Sequence, residues 1–224
     1  MEMNIQDHLL SSEEYYHETV KKDVIVLHHT AGGSNPVNTI DGWEADKASD
    51  GSPLKVATAF VIGRTSSSVS NAEFDGKIYR AFDEKFWAHH LGTKLANNRI
   101  LNSKSIAIEV CNYGGLVKTK TGKFLNYVNR EIDPKHVFDL GYVWKGYQYW
   151  ENYTEGQISA LKELLIYLGD KYGISIKRTI DAGWFSLNKD AMAGKPGIWT
   201  HVNFRSDKMD MYPHPGLIAM INSL

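Results

Sequence analysis

With 224 residues, 25 Lys plus Arg against 26 Asp plus Glu and a formal net charge of −1, the chain lacks the basic surplus or Lys/Arg block that a nucleic-acid partner requires. Its 42% hydrophobic and 23% charged residues exclude a disordered chain, and no apolar run approaches the ~18 residues of a membrane span, so membrane insertion is not expected. A single cysteine, Cys111, excludes an intramolecular disulfide and any cysteine-built metal cluster.

This length suits one domain, read here as a lead-in segment over 1–22 and a domain over 23–224. Met1 to His8 shows no basic stretch followed by an apolar one, so no signal peptide is expected and the chain is expected to be made in the cytoplasm. Ser11-Ser-Glu-Glu14 has the form of a capping box, which predicts a short helix through Tyr15, Tyr16 and Val20. Val24 to Leu27 is apolar at every position, as in a central strand covered on both faces, and this puts His28 at a strand end. After the turn signal Gly32 to Pro36, Val37 to Ala48 is expected to be helical through Ile40 and Trp43.

Thr58 to Ile62 and Lys77 to Arg80 read as strands joined across a serine-rich loop, Thr65 to Ser70, and Asp75-Gly76. In Ser105 to Cys111 the period of two puts Ile106, Ile108 and Val110 on one face and Ala107, Glu109 and Cys111 on the other. Residues 117–153, rich in Tyr, Lys and Gly, are taken as an insertion with a hairpin at Lys120 to Lys123; the aromatics between Tyr142 and Tyr153 either stack on sugar or, the preferred reading, close a small core of their own. Thr154-Glu-Gly-Gln157 is a second capping box, opening a helix whose Ile158, Leu161, Leu164, Leu165 and Leu168 recur at helical spacing until Gly173. The alternation of strands and helices predicts an α/β fold, a single domain with a central mixed β-sheet flanked by helices.

The chemistry concentrates at two distant places. His28 closes the first strand, and His201 near the C-terminus is followed by Asp210 nine residues on, with Lys208 two residues before that acid. Two histidines and one carboxylate hold a zinc ion with a fourth position open to water, the arrangement of a catalytic site. Glu109 is a carboxylate inside an apolar strand, which is costly without a partner or a role. His29 is the alternative to His28, since adjacent strand residues face opposite ways, and Asp207 is the alternative to Asp210. Asp210 is preferred because it precedes Pro213 and Pro215, which stiffen the chain beyond it. Cys111 is read as a small buried residue outside the coordination.

From about Val24 to Pro215 the chain resembles the zinc-dependent N-acetylmuramoyl-L-alanine amidases of type 2, the family shared by phage lysozyme-like amidases and peptidoglycan recognition proteins. The resemblance rests on Val26-Leu-His28-His-Thr-Ala-Gly32, Ala88-His-His90-Leu-Gly92, Ser105-Ile-Ala-Ile-Glu109 and Gly197-Ile-Trp-Thr-His201 with Lys208-Met-Asp210. It implies one zinc per chain on His28, His201 and Asp210, catalysis by Glu109 and Lys208, and substrate contacts from His90 and Thr58 in an active-site groove at strand ends. Thr58 departs from the pattern, because many phage members carry a catalytic tyrosine there. The reaction implied is hydrolysis of the amide between N-acetylmuramic acid and L-alanine in peptidoglycan, and a phage endolysin, an intracellular recycling enzyme and an exported effector all fit as its setting. The alternative is a non-enzymatic module that recognises muropeptides. A monomer acting on the cell wall is expected, with peptidoglycan as its partner.

Overall fold

The computed structural model describes residues 3–68 and 71–224. The last two positions of the serine-rich loop, Val69 and Ser70, lie outside the described residues, as do Met1 and Glu2. In chain order the described residues form β1 (Ile5–Asp7), β2 (Val24–His29), α1 (Pro36–Ala45), β3 (Phe60–Ile62), β4 (Ile78–Arg80), α2 (Asn98–Lys104), β5 (Ser105–Val110) and β6 (Gly115–Lys118). There follow β7 (Phe124–Leu125), β8 (Glu131–Ile132), β9 (Val137–Trp144), β10 (Tyr147–Glu151), α3 (Glu155–Tyr172), α4 (Lys189–Met192), β11 (Gly197–Thr200) and α5 (Pro215–Asn222).

The main sheet has the order β1-β4-β3-β5-β2-β11. It is mixed, as expected: β3, β5, β2 and β11 run parallel, and only the β3–β4 pairing is antiparallel. Strand β2 lies between β5 and β11, which explains why it needs apolar residues on both faces; Ile25, Val26 and Leu27 are fully buried. Val24 and Val26 pack in a cluster with Leu91, Leu101, Trp199 and Phe204, while Ile25 and Leu27 belong to the larger core, which also takes in the leucines of α3.

Helix α3 begins where the capping box placed it. Thr154 accepts from Gln157 N–H at 3.0 Å, Gln157 accepts from Thr154 N–H at 3.2 Å, and Gly173 ends the helix in the left-handed region at φ 65°. Leu161, Leu164, Leu165 and Leu168 are buried on one face.

The first capping box fails. Ser11 N–H donates to Glu44 Oε2 at 2.8 Å, and the buried Glu14 carboxylate pairs with Lys47, so neither half of the reciprocal bond forms. Only a 3-10 turn, Ser12–Glu14, results, and Tyr16 instead bridges to Trp87, its ring stacked on the indole at 4.0 Å. The lead-in also contributes β1 to the edge of the main sheet, beside β4. Three residues carry too little periodicity to announce that strand.

The stretch taken as an insertion folds as a second, antiparallel sheet, β8-β7-β6-β10-β9, with the expected hairpin between β6 and β7. Its aromatics do not close on themselves alone. Trp150 stacks on Tyr212 at 4.7 Å, and Tyr212 stacks on Tyr153 at 4.9 Å, which ties β10 to the chain just after Asp210. Gly115 is glycine because Tyr147 lies over it: a Cβ there would fall 2.3 Å from the ring.

Arg64, just beyond β3, pairs with Glu151 at the end of β10, and the two side chains are 1% and 0% exposed. Removing one partner of such a pair strands a buried charge, at a cost of about 3–5 kcal/mol. Glu151→Ala is therefore expected to lose about 3–5 kcal/mol of unfolding free energy in urea, and a Met/Leu replacement of both residues to lose much less.

Candidate metal centre and active site

The strand registers assemble the site. In β2 and β5, Leu27 pairs with Ile108 and His28 with Glu109; in β11, Thr200 pairs with Leu27, so His201 follows one step beyond, level with His28. Aligned residues of parallel neighbours point to the same face, which sets His28, Glu109 and His201 in a row at the carboxyl edge of the sheet. His28 shares its face with Val24 and Val26, whereas His29 shares the opposite one with Ile25 and Leu27.

His28 Nδ1, His201 Nδ1 and Asp210 Oδ2 form a near-equilateral triangle, with separations of 3.0, 3.0 and 2.9 Å. Among the described residues these three are the set of His, Cys, Asp or Glu able to hold a metal ion together. Ligand atoms of a tetrahedral zinc with bonds of about 2.0–2.1 Å stand roughly 3.3 Å apart, close to this triangle.

The donor chemistry fits as well. His201 Nε2 lies 2.8 Å from the Leu91 carbonyl, which only accepts, so Nε2 carries the proton and Nδ1 presents a lone pair to the centre. Burial, with the nearby His201, lowers the His28 pKa to about 4, so it is a neutral imidazole at pH 7, the form a metal requires. Burial opposes charge on Asp210, yet the neighbouring His201 and His28 hold its carboxyl below the usual range, and it is an anion at neutral pH.

The triangle forms part of the wall of an open cavity of about 480 Å³, which Glu109, Lys208 and Thr58 also line. Glu109 Oε2 is buried with no hydrogen-bond partner. Burial, then the charge of Asp210, raises the Glu109 pKa well above its ordinary value, and Lys208 counters part of that rise. A buried carboxyl on a cavity wall, with a raised pKa and an oxygen that has no hydrogen-bond partner, has the properties of a general base.

The residues weighed as alternatives, His29 and Asp207, also border this cavity, but their polar atoms are engaged by other partners. His29 turns its Nδ1 to Tyr153 OH at 3.2 Å, and Asp207 makes a two-pronged bond to Arg205 at 3.0 and 2.6 Å with its side chain 63% exposed. Cys111, expected on the Glu109 side, lies past the end of β5 and packs in the larger core away from the cavity, with burial raising its thiol pKa. Thr58 is buried and donates to the Phe60 carbonyl at 3.0 Å. His90 borders the cavity, but both of its ring nitrogens are engaged by protein, by His28 at 3.0 Å and Ser105 at 2.6 Å.

The second sheet and the chain leading to it supply a further wall, of which only Tyr147 falls among the aromatics that the sequence offered for stacking on sugar. Tyr113, Tyr127 and Tyr147 line the same cavity, and Tyr127, 63% exposed, donates to the Ala31 carbonyl at 2.8 Å. Nothing local marks these tyrosines, because only the fold of β6 to β10 brings them beside the turn that follows His28.

The profile of the family described as N-acetylmuramoyl-L-alanine amidase matches residues 18–215. The chain belongs to this family of hydrolases, which cut the amide that joins N-acetylmuramic acid to L-alanine in peptidoglycan. Its fold is similar to that of PlyL, with a TM-score of 0.51, 13% identity, and coverage of 93% of this chain and 86% of the other. The N-acetylmuramoyl-L-alanine amidase LysC from Clostridium intestinale URNW aligns over 99% of this chain and 97% of its own, with 16% identity and a TM-score of 0.49. No curated protein sequence matches the chain.

The geometry separates the two candidate aspartates. Asp210→Asn is expected to abolish stoichiometric zinc binding, measured by metal analysis after dialysis, whereas Asp207→Asn, which breaks only the exposed pair with Arg205, is expected to leave it intact.

Proposed function

We propose that the chain hydrolyses its peptidoglycan amide with one zinc ion held by His28, His201 and Asp210. The observation that carries this reading is the convergence of three ligand atoms beside a carboxylate oxygen without a partner, at one wall of one cavity. A zinc ion there supplies Lewis acidity, which polarises an amide carbonyl and brings the pKa of water towards about 7.

The protein's own groups do the rest. Glu109 takes the proton from the attacking water and returns it to the leaving nitrogen of alanine, a base-then-acid role worth about 10²–10⁴-fold. Burial and the nearby Asp210 raise its pKa above the ordinary carboxyl value, which favours holding the proton between the two halves of that cycle. Lys208, on the cavity wall, faces the oxyanion that develops on the carbonyl and stabilises charge that appears only in the transition state. Thr58, with its hydroxyl committed to Phe60, shapes the floor near the substrate in place of a reactive tyrosine.

Residues 23–224 act in this reading as one amidase domain, and the region 117–153 is an insertion whose tyrosines extend the groove. A monomer suffices in this reading, because one chain carries every proposed group. Among the described residues no helix is long and apolar enough to cross a membrane. The setting proposed is lysis of the bacterial cell wall in the manner of an endolysin.

Digestion of intact sacculi tests the activity and the setting together. Mass analysis should show stem peptides with new free alanine amino groups and no new reducing sugar ends; reducing ends alone would mean a glycosidase. Cleavage of soluble muropeptides with sacculi left intact would instead mean a recycling enzyme. Glu109→Gln is expected to lower kcat by about 10²–10⁴-fold while zinc content stays at one per chain. An equal loss of zinc would remove Glu109 from the proton-transfer role.

A further inference from the structure

The two histidines of the triangle have their outward ring nitrogens held by one dipeptide, His90-Leu91. The Leu91 carbonyl takes the His201 Nε2 proton, and the His90 ring meets His28 Nε2. The buried Asn102 amide oxygen accepts from both backbone N–H groups of this dipeptide, at 2.8 and 3.1 Å, and its own amide donates to the Asn98 carbonyl at 2.7 Å. The segment is thereby clamped to α2.

Beyond His90 the order of protons follows from what each atom can do. Ser105 Oγ lies 2.8 Å from the Leu101 carbonyl and 3.1 Å from the Asn102 carbonyl, and both carbonyls can only accept. The hydroxyl proton therefore points at them, and Oγ turns a lone pair to His90 Nε2 at 2.6 Å. His90 Nε2 is then the protonated nitrogen and donates. A neutral imidazole has one N–H, so His90 Nδ1 is bare and accepts from His28 Nε2–H at 3.0 Å. By the same rule His28 Nδ1 is bare, and it faces His201 Nδ1 and Asp210. The reverse order would take the serine donor from the helix carbonyls and place an N–H on His28 Nδ1, where it would block a metal bond.

We infer that Ser105 and His90 form a proton-ordering relay that sets the His28 tautomer for metal binding, which makes His90 a positioning residue and not a substrate ligand. The inference rests on the zinc reading above. Such outer hydrogen bonds are typically worth 10–100-fold in metal affinity.

Chelator competition on the full chain tests it. His90→Leu should weaken zinc binding by about 10–100-fold, whereas His90→Asn, whose Oδ1 accepts where Nδ1 did, should recover most of that loss. Ser105→Ala should weaken binding in the same direction. Nitrogen-15 NMR of the zinc-loaded wild type should find His90 as the Nε2–H tautomer. This spectrum and the Ser105→Ala affinity decide the matter even if His90→Leu fails to fold. A wild type that binds no zinc would overturn the metal reading and the relay together. Tight zinc binding by the wild type with an unchanged His90→Leu or Ser105→Ala, or with His90 found as Nδ1–H, would overturn the relay alone.

Discussion

Three parallel strands of the main sheet, β11, β2 and β5, run in matched register towards one edge, and the rest of the site depends on that alignment. Because aligned residues of parallel neighbours share a face, the register pairs His28 with Glu109, and the turn that opens just after β11 brings His201 against His28. A slip of one residue in β2 would put His29 beside Glu109 and turn His28 to the other face. The apolar residues upstream hold the register, since Val24 and Val26 fill one cluster and Ile25 and Leu27 the other, and a slip would exchange them.

Around this site the protein buries ionisable groups in close contact, and two of them, the Asp210 and Glu109 carboxyls, oppose each other's charge. Two imidazole lone pairs and a carboxylate oxygen meet at about 3 Å, and the Glu109 carboxylate stands close enough for Asp210 to raise its pKa. Burial sharpens the conflict, because it keeps His28 neutral and leaves one Glu109 oxygen without a hydrogen bond. A fold accepts such a cluster only where other contacts hold it rigidly. Here the Asn102 clamp holds the His90-Leu91 dipeptide, and the Trp150–Tyr212–Tyr153 stack holds the chain just beyond Asp210.

The second sheet is joined to this framework by charge as well as by stacking. The Arg64–Glu151 pair links the end of β3 to the end of β10 in the interior, and Glu151 Oε2 also accepts from Tyr113 N–H at 2.6 Å, placing a tyrosine that lines the cavity. Tyr127 reaches back to the Ala31 carbonyl, so the sheet and the turn after His28 are positioned against each other. The groove thus has one wall from the mixed main sheet and another from the antiparallel second sheet.

Much of this was legible in the sequence wherever a local rule governs the outcome. The apolar run ending at His28, the period of two around Glu109 and the capping box at Thr154 each reflect forces acting within a few residues, and each element formed as they require. The same rule misled at Ser11, because Glu44 and Lys47, more than thirty residues away, bind the two groups a capping box would have paired. Order along the chain, with the family resemblance, was enough to nominate His28, His201, Asp210, Glu109 and Lys208. The triangle of His28, His201 and Asp210, the cavity beside it, the tyrosine wall and the partners of His90 arise from contacts between segments far apart in the chain. Local propensity carries no record of such contacts, so only the tertiary structure decided them.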